Sequence, residues 1–222
     1  MTIKNEFAEI RGILKRTTDN LIGFNGMVGR PGAELRLVVG DLNVRAASYL
    51  IDGTFADRLL SAFTLATGAG ITLEWMDRVI AQLVAETPTE LTANSVVQNS
   101  LIFALAQEGR IIRATEYKSR EDVDATMKRM KEWFDIIKDM IADTMSGPAY
   151  QAFLDLAAGI TRYLTDVARP LPRMLRYQLA PMPALAASQF IYGDGSRYEE
   201  LVAENKVVHP AFMPRVLQAL SA

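Results

Sequence analysis

The chain contains no cysteine and only one histidine. The absence of cysteine excludes disulfides, thiol catalysis and thiolate metal sites. The single histidine, His209, directly precedes Pro210, and no acid–nucleophile pair stands near it in the sequence. We therefore expect His209 to be structural or exposed, and we expect a protein that is not an enzyme and holds no cofactor or metal.

Long apolar runs are also missing. The N-terminal segment MTIKNEFAEIRGILKR lacks the apolar core of a signal peptide, and the least polar stretch, Leu59 to Ile71, is too short to span a bilayer. We expect no membrane insertion. The formal net charge is −2, whereas DNA-binding domains are usually strongly basic because phosphate contacts supply most of their affinity. General binding to polyanions is therefore not expected.

The composition is that of an ordinary globular protein, because half of the 222 residues are hydrophobic and 23% are charged. A chain of this length suffices for one or two domains and buries roughly 70% of its extended surface on folding. We predict a mostly α fold in which a helical hairpin or bundle carries a small α+β module. The predicted regions are a mixed N-terminal region (1–86), a long-helix hairpin (87–170) and a C-terminal module (171–222).

The N-terminal region is predicted to combine short helices with one possible strand. Helical spacing of apolar residues predicts a helix over about Asn5–Thr18 and another over Thr72–Glu86. Between them, the segment ELRLVVGD predicts a strand at Glu34–Val39, and an interrupted helix follows over about Leu42–Thr67.

Four glycines recur every third residue in the segment LIGFNGMVGRPG, at Gly23, Gly26, Gly29 and Gly32. A phosphate loop needs a Lys-Ser/Thr step at the start of a helix, and a dinucleotide fingerprint needs a preceding strand. Neither context is present. We interpret this segment as a flexible loop or a subunit contact.

The middle region is predicted to form a pair of long helices. Thr87-Pro88 supplies an N-cap and a proline at the first helical position for a helix that runs to about Tyr117 and comes before this pair. Ser119 with Asp122 caps the first helix of the pair. Apolar residues then recur at steps of three and four in two successive segments, on Val123, Met127, Met130, Phe134, Ile137, Ile141 and Met145, and on Phe153, Leu156, Ile160, Leu164 and Val167. Two such stripes joined by a short turn pack as an antiparallel hairpin.

The C-terminal region predicts the order strand, helix, helix, strand. Alternating apolar residues predict a strand that starts near Leu175, and the next apolar run predicts a helix that ends at Gly193, which supplies a positive φ. Ser196 with Glu199 predicts a capping box for a second helix. Asn205 is expected to end that helix in left-handed geometry, and a short terminal strand or tail follows it.

Tyr192-Gly193-Asp194, Asn205, and the pair Pro210 and Pro214 stand in the order found in the LysM-like modules of phage baseplates, which this region resembles. Carbohydrate-binding LysM domains usually carry a Pro-Gly pair before the last strand, whereas Arg215 follows Pro214 here, so we expect docking to protein. A small tail that merely packs is the alternative. The resemblance places the docking residues at Tyr192, Gly193, Asp194, Arg197, Tyr198, Asn205, His209, Pro210 and Phe212.

From about Pro88 onward the chain resembles the C-terminal half of the Mu-like phage DNA circularisation proteins, which are tail and baseplate components. The matching pieces are PTELTANSVVQNSLIFALAQEGRIIRATEYKSREDVDATMKRM, ARPLPRMLRY and YGDGSRYEELVAENKVVHPAFMP. The resemblance implies a structural baseplate protein that joins the central hub or tube to the wedge or sheath. It also implies other tail proteins as partners, several copies around a symmetric tube, and a place in the virion after assembly in the host cytoplasm.

Two other functions are weighed against this one. Arg162, Arg169, Arg173 and Arg176 form a basic cluster in which Tyr163 and Tyr177 are interleaved, and such a cluster contacts either an acidic partner or the phosphates of a DNA end. We favour the acidic partner because the chain is acidic overall, so DNA contact is not expected. The less favoured alternative is a peptidoglycan-binding or peptidoglycan-degrading tail protein. For degradation, Asp194 with Glu199 or Glu200 would have to form the hydrolase pair. Capping roles already account for Asp194 and Glu199.

Overall fold

The structure, a computed structural model, describes residues 3–24, 28–142 and 144–221. It is mostly helical with a two-stranded antiparallel sheet, which confirms the predicted fold class. The chain forms two compact units: Met1–Thr115 joins Phe134–Leu156 in the first, and Glu116–Trp133 joins Ala157–Ala222 in the second. The three regions predicted from sequence signals along the chain stay a prediction.

The first unit is built around its N-terminal helix. The helices are α1 (Ile3–Ile22), α2 (Gly29–Ile51), α3 (Phe55–Gly68), α4 (Leu73–Val84) and α5 (Leu91–Ala114). Helix α1 contacts each of the other four, and its Ile10, Ile13 and Leu14 are buried because their spacing places them on the inner side. This confirms the predicted helices near Asn5–Thr18 and Thr72–Glu86.

The strand predicted at Glu34–Val39 is wrong, because these residues belong to helix α2. The buried residues of α2 recur at steps of three and four along its whole length: Gly32, Leu35, Val39, Leu42 and Ala46. That face packs against α1 and α3, and tertiary packing outweighs the weak β preference of a Val-Val pair. The helix begins at Gly29, so the predicted glycine loop is shorter than expected. Gly26 lies outside the described residues.

The predicted start of α5 at Thr87-Pro88 is also wrong, since the helix begins at Leu91. The carboxylate of Glu9, on α1, accepts hydrogen bonds from the amides of Thr89 (2.7 Å) and Glu90 (3.1 Å). A long-range acceptor therefore satisfies donors that a local cap was expected to serve. The helix ends at Ala114, three residues before the predicted end.

Helices α6 (Arg120–Ile141) and α7 (Gly147–Ala168) each contribute residues to both units. The predicted cap of α6 is confirmed: the Ser119 amide donates to the Asp122 carboxylate (3.1 Å), and the Asp122 amide donates to the Ser119 hydroxyl (3.2 Å). In the first unit the rings of Phe134 and Phe153 pack edge to face, with centroids 5.4 Å apart. The predicted stripes are buried at Val123, Met130, Phe134, Ile137, Ile141, Phe153, Ile160 and Leu164.

The second unit ends in the predicted order of strand, helix, helix and strand. Its elements are β1 (Met174–Gln178), α8 (Ala184–Tyr192), a 3-10 turn (Gly195–Arg197), α9 (Tyr198–Glu204) and β2 (Val216–Leu220). The strands are antiparallel, with Met174 opposite Leu220 and Gln178 opposite Val216. We call residues 174–221 the module. Its small core consists of Ala184, Ala187, Leu201, Met213, Leu217 and Ala219.

Two local predictions within the module are wrong. The Ser196–Glu199 capping box is absent from it, because the Asp194 carboxylate accepts from both the amide and the hydroxyl of Ser196, each at 2.8 Å. An aspartate two residues earlier captures these donors and starts a 3-10 turn instead. Asn205 does cap the end of α9 as predicted, but its φ is −95°, so only the expected left-handed geometry is wrong; the left-handed residue is Lys206, with a φ of 51°.

Candidate docking surface

Tyr192, Arg197 and Glu200 form a partly buried cluster between α8 and α9. The Arg197 guanidinium lies 3.8 Å from the centroid of the Tyr192 ring and donates to the Glu200 carboxylate at 2.7 and 3.1 Å. The Tyr192 hydroxyl donates to the same carboxylate at 3.2 Å. Stacking and ion pairing thus join the two helices, so the predicted docking residues Tyr192 and Arg197 brace the module from within.

The electrostatics of this cluster favour a neutral tyrosine. Burial, followed by the negative charge of Glu200, raises the pKa of Tyr192 to about 12, and the charge of Arg197 partly opposes that shift. Hydrogen bonding to Glu200 raises the pKa of Arg197. Sequence reasoning missed Glu200 as a member of this cluster, although it lies three residues after Arg197, a spacing that predicts a helical ion pair.

Gly193 and Asp194 form the turn after α8. Gly193 has a φ of 70°, as predicted for a residue that ends a helix. The Ser188 hydroxyl donates to the Asp194 carbonyl at 2.6 Å, which fixes the turn from the helix side. Hydrogen bonds from the backbone and then the hydroxyl of Ser196 lower the pKa of the Asp194 carboxyl. The carboxylate is therefore occupied as a cap.

Asn205 and Tyr198 also make contacts within the module. The Asn205 amide nitrogen donates to the carbonyls of Leu201 (2.8 Å) and Gln218 (2.7 Å), and the Gln218 amide donates back to the Asn205 oxygen at 2.7 Å. This side chain thereby joins the end of α9 to β2. The Tyr198 hydroxyl donates to Glu199 at 3.0 Å.

The loop between α9 and β2 carries the remaining predicted residues, and all of them are exposed. The rings of His209 and Phe212 are in contact, with centroids 5.6 Å apart, and the Ala211 amide donates to the His209 Nδ1 atom at 3.2 Å. The Pro210 carbonyl accepts from the Ala184 amide at 2.7 Å, which ties the loop to the first turn of α8. The loop is therefore held by contacts within itself and by one hydrogen bond to α8.

Large apolar side chains stand exposed on this loop and on α8. Phe212 is 78% exposed and Val208 fully so, and Leu185 and Phe190 project from α8. We call Leu185, Phe190, Val208 and Phe212 the apolar docking residues. Only Phe212 was predicted. Leu185 and Phe190 lie off the side of α8 that Ala184 and Ala187 bury, and this spacing is the signal that could have revealed them. Exposure itself cannot be read from the sequence, and no such signal marks Val208.

The start of the module is joined to the nearby ends of α6 and α7. The Arg120 guanidinium donates to the carbonyls of Leu171 (2.8 Å) and Arg169 (2.9 Å), and the Glu121 carboxylate accepts from the Met174 amide at 2.8 Å. Ser221 exchanges two hydrogen bonds with the backbone of Arg173, at 2.7 and 3.0 Å. Within the second unit, these bonds hold β1 against the helices that precede it.

The four predicted arginines are exposed, and three of them line two different depressions. Arg169 and Arg173 line a shallow depression that they share with Glu121 and Asp124. Arg176 lines a different one, beside Glu204 and Lys206. Arg162 lies on α7, two turns before the end of the helix, and Arg169, which follows that end, contacts Asp166 at 3.5 Å. Tyr163 and Tyr177, expected to interleave the arginines, are half-buried, and Tyr177 packs against the module core.

Within residues 3–24, 28–142 and 144–221, no group of three or more histidine, aspartate or glutamate side chains is arranged to hold a metal ion. No helix in that part of the chain has the length and apolar character needed to cross a membrane. No protein-family model matches the chain, and no curated protein matches it either. The resemblance to phage tail proteins therefore stays a prediction.

Proposed function

We propose that the protein is a non-enzymatic structural component of a phage tail baseplate, which joins the central hub or tube to the surrounding wedge or sheath. In this proposal the module is the docking element, and other tail proteins are its partners. The observation that carries the docking role is the exposure of the apolar docking residues on a module whose own core is formed by other residues. The baseplate itself comes from the family resemblance.

Exposed side chains of this kind support a protein partner. Leu185, Phe190, Val208 and Phe212 leave large apolar area in water on a small unit, and burial of such area is the main source of free energy in protein association. Aromatic anchors are enriched among the residues that dominate interface energies. The polar side chains of Asp194, Arg197 and Asn205 already make hydrogen bonds within the module, so they stabilise its fold.

The bracing of the module supports a mechanical role. An interface that carries load benefits when its residues are held in place before binding, because less conformational entropy is lost on association. The Tyr192–Arg197–Glu200 cluster, the Asn205 bridge and the Ala184–Pro210 hydrogen bond each restrict one part of the module. Docking by a preorganised module is the expected consequence.

The experiment that tests this proposal is tail assembly with the variant Phe212→Asp. We expect tails to fail to incorporate the variant, because a charge replaces an apolar anchor, whereas Leu91→Asp should be incorporated normally. Leu91 is 78% exposed, the same fraction as Phe212, but it lies on α5 in the first unit. Incorporation is measured by quantitative immunoblotting of purified particles. If Phe212→Asp and the double variant Val208→Asp/Phe212→Asp are each incorporated normally, the docking role is overturned. If the wild-type chain is absent from particles, the baseplate assignment is overturned.

A further inference from the structure

The two-stranded sheet of the module has two outer edges, and α9 covers the edge that β2 forms. Asn205, at the end of α9, donates to the Gln218 carbonyl and accepts from the Gln218 amide, each at 2.7 Å. Helix α9 also contacts β2 directly. The centre of this edge is therefore occupied by a side chain that serves both backbone groups of Gln218.

The register of the strands fixes the direction of the backbone groups of β1. Arg176 lies opposite Gln218, and Gln178 lies opposite Val216. In an antiparallel pair, opposite residues either exchange both hydrogen bonds or point all their backbone groups away from each other, and the two kinds of pair alternate. Since the Gln218 groups point away from β1, the amides and carbonyls of Arg176 and Gln178 point away from β2.

The amides and carbonyls of Arg176 and Gln178 are left open at the outer edge of β1. Two residues earlier, the Met174 amide donates to the Glu121 carboxylate at 2.8 Å, so α6 covers the edge there. Within residues 3–24, 28–142 and 144–221, no third strand lies beside β1, and no group hydrogen-bonds to the four backbone groups. Both residues are exposed. We call these four groups the open edge of β1.

We propose that the open edge of β1 binds an extended, acidic segment of a partner protein, which adds to the sheet as a third strand. Amides and carbonyls that repeat along a strand match the backbone of another extended chain at a spacing of about 4.8 Å. A helix satisfies its own amides internally and cannot supply matching groups. The backbone groups of the open edge therefore select an extended segment.

The Arg176 side chain gives the open edge its preference for charge. Successive side chains of a strand alternate between faces, and Tyr177 packs against the module core, so Arg176 lies on the opposite face of the sheet. The depression that it lines also contains Glu204 and Lys206, which leaves one positive charge in excess. Opposite charges at facing positions of neighbouring strands stabilise a sheet. We therefore expect an acidic residue opposite Arg176 in the third strand.

A second copy of this chain fits the open edge less well. Antiparallel pairing of two copies of β1 would bring Arg176 of each copy to the same face of the combined sheet, within cross-strand reach, where like charges repel. The favoured occupant is therefore a different, acidic segment. This inference concerns a surface other than the apolar docking residues and does not depend on the proposed baseplate function.

The test uses NMR of the purified full chain with a blocked eight-residue peptide in which threonine and glutamate alternate. In the free chain, the amides of Arg176 and Gln178 should exchange with solvent faster than those of Leu175 and Tyr177, which face β2. Peptide at about ten times its dissociation constant should slow exchange at both open amides roughly tenfold, because bound chains are protected.

Two matched peptides are the controls. A peptide with lysine in place of glutamate should bind at least about tenfold more weakly, because its charges repel Arg176. A glutamate peptide with every backbone amide methylated should not bind, because it has no donors for the carbonyls of the open edge. These two controls separate the contribution of charge from that of backbone hydrogen bonding.

Variants of two residues place the interaction at the open edge. Gln178→Pro removes an outward donor but no hydrogen bond to β2, and edge strands tolerate proline, so peptide binding should be lost while the strands stay paired. Gln178→Ala keeps the amide and should bind like the wild type. Arg176→Glu should reverse the preference, so that the lysine peptide binds more tightly. Exchange at the Leu175 amide checks strand pairing, and if Gln178→Pro disturbs it, the methylated peptide still tests the same hydrogen bonds.

The outcomes that contradict the proposal are distinct. If the glutamate peptide at its solubility limit protects neither open amide, or if the methylated peptide binds equally well, strand addition is overturned. Equal binding of the lysine peptide overturns the acidic partner. A dimer in sedimentation velocity that protects the Arg176 and Gln178 amides without peptide makes a second copy the occupant. Because this test uses no tail particles, its failure leaves the incorporation of Phe212→Asp as a separate result.

Discussion

The side chain of Asn205 joins α9 to β2, so its removal should lower the stability of the module. Its amide serves both backbone groups of Gln218 in β2 and the carbonyl of Leu201 in α9. We predict that Asn205→Ala destabilises the module by about 1–3 kcal/mol, because backbone groups lose their partners and each net hydrogen bond contributes about 0.5–1.5 kcal/mol.

Hydrogen exchange at the Gln218 amide, followed by NMR, measures this effect. The variant should exchange faster at Gln218, whereas Asn99→Ala, at an exposed position of α5, should leave that amide unchanged. Unchanged exchange at Gln218 in Asn205→Ala would show that the strand pairing alone holds β2. Asn205→Asp retains an acceptor for the Gln218 amide but not the donor, so we expect an intermediate effect.

The sequence predicted positions of individual residues better than their roles. Gly193 ends α8 as expected, because the requirement for a positive φ is local. Asn205 does stand at the end of α9, but its function depends on a strand thirteen residues later, which no local signal reports. The same limit applies to Thr89, whose amide donates to Glu9, a residue 80 positions earlier in the sequence. Long-range hydrogen bonds were therefore one source of error, beside the packing of α2 and the local capture of Ser196 by Asp194.

Helix α2 shows why its secondary structure was misjudged. Leu35 and Val39 belong to the buried stripe, whereas Leu37 belongs with Val44 and Ile51 to a second, exposed apolar stripe. Where two apolar stripes run along one helix, residues from each alternate with polar residues over a short window, and the result has the period of a strand. The helical period becomes evident only over the full length of α2, from Gly29 to Ile51.

An ion pair joins α1 to the segment that follows α4, and it predicts the acid sensitivity of the first unit. The Arg16 guanidinium donates to both oxygens of the Glu86 carboxylate at 2.6 and 2.7 Å, and hydrogen bonding to Arg16, opposed by burial, lowers the pKa of Glu86. The stabilisation is therefore complete above the ordinary glutamate pKa and is lost as the pH falls through the lowered value. We predict that Glu86→Gln costs about 1 kcal/mol near neutral pH, since Arg16 is half-exposed and screened.

Urea unfolding at several pH values checks this prediction. The difference between wild type and Glu86→Gln should vanish under strongly acidic conditions, where the wild-type carboxyl is protonated as well. Glu74→Gln is the control, because the Glu74–Arg78 pair lies on the open surface of α4 and should contribute only a few tenths of a kcal/mol. A constant difference at all pH values would contradict the assigned role of the charge.

The chain passes between its two units, and neither unit is a continuous segment. The first unit takes the end of α6 and the start of α7, whose Phe134, Ile137, Ile141 and Phe153 are buried, and the Gln98 side chain of α5 donates to Thr144. We predict that a fragment ending at Thr115 is less stable than one ending at Leu156 by more than about 3 kcal/mol, because loss of a single buried phenylalanine costs about that much. Differential scanning calorimetry of the two fragments measures the difference, and equal stability would show that the helices of 1–115 form a complete core.

This interleaving was not predictable from the pattern of apolar residues. The stripe on α6 is continuous from Val123 to Ile141, and a continuous stripe indicates a helix without indicating what covers each part of it. Which half packs in which unit is decided by residues far along the chain. The helices and strands of the second half were therefore predicted well, whereas the partition into units required the structure.

Strand β2 has a consequence for protein synthesis. It supplies Leu217 and Ala219 to the module core and Gln218 to the hydrogen bonds with Asn205. These three residues are synthesised after the residues of α8 and α9 that they contact. Until translation has passed Leu220, the alanines of α8 and Leu201 remain without their cover. A polypeptide released early, before Val216, would thus lack the residues that close the module core.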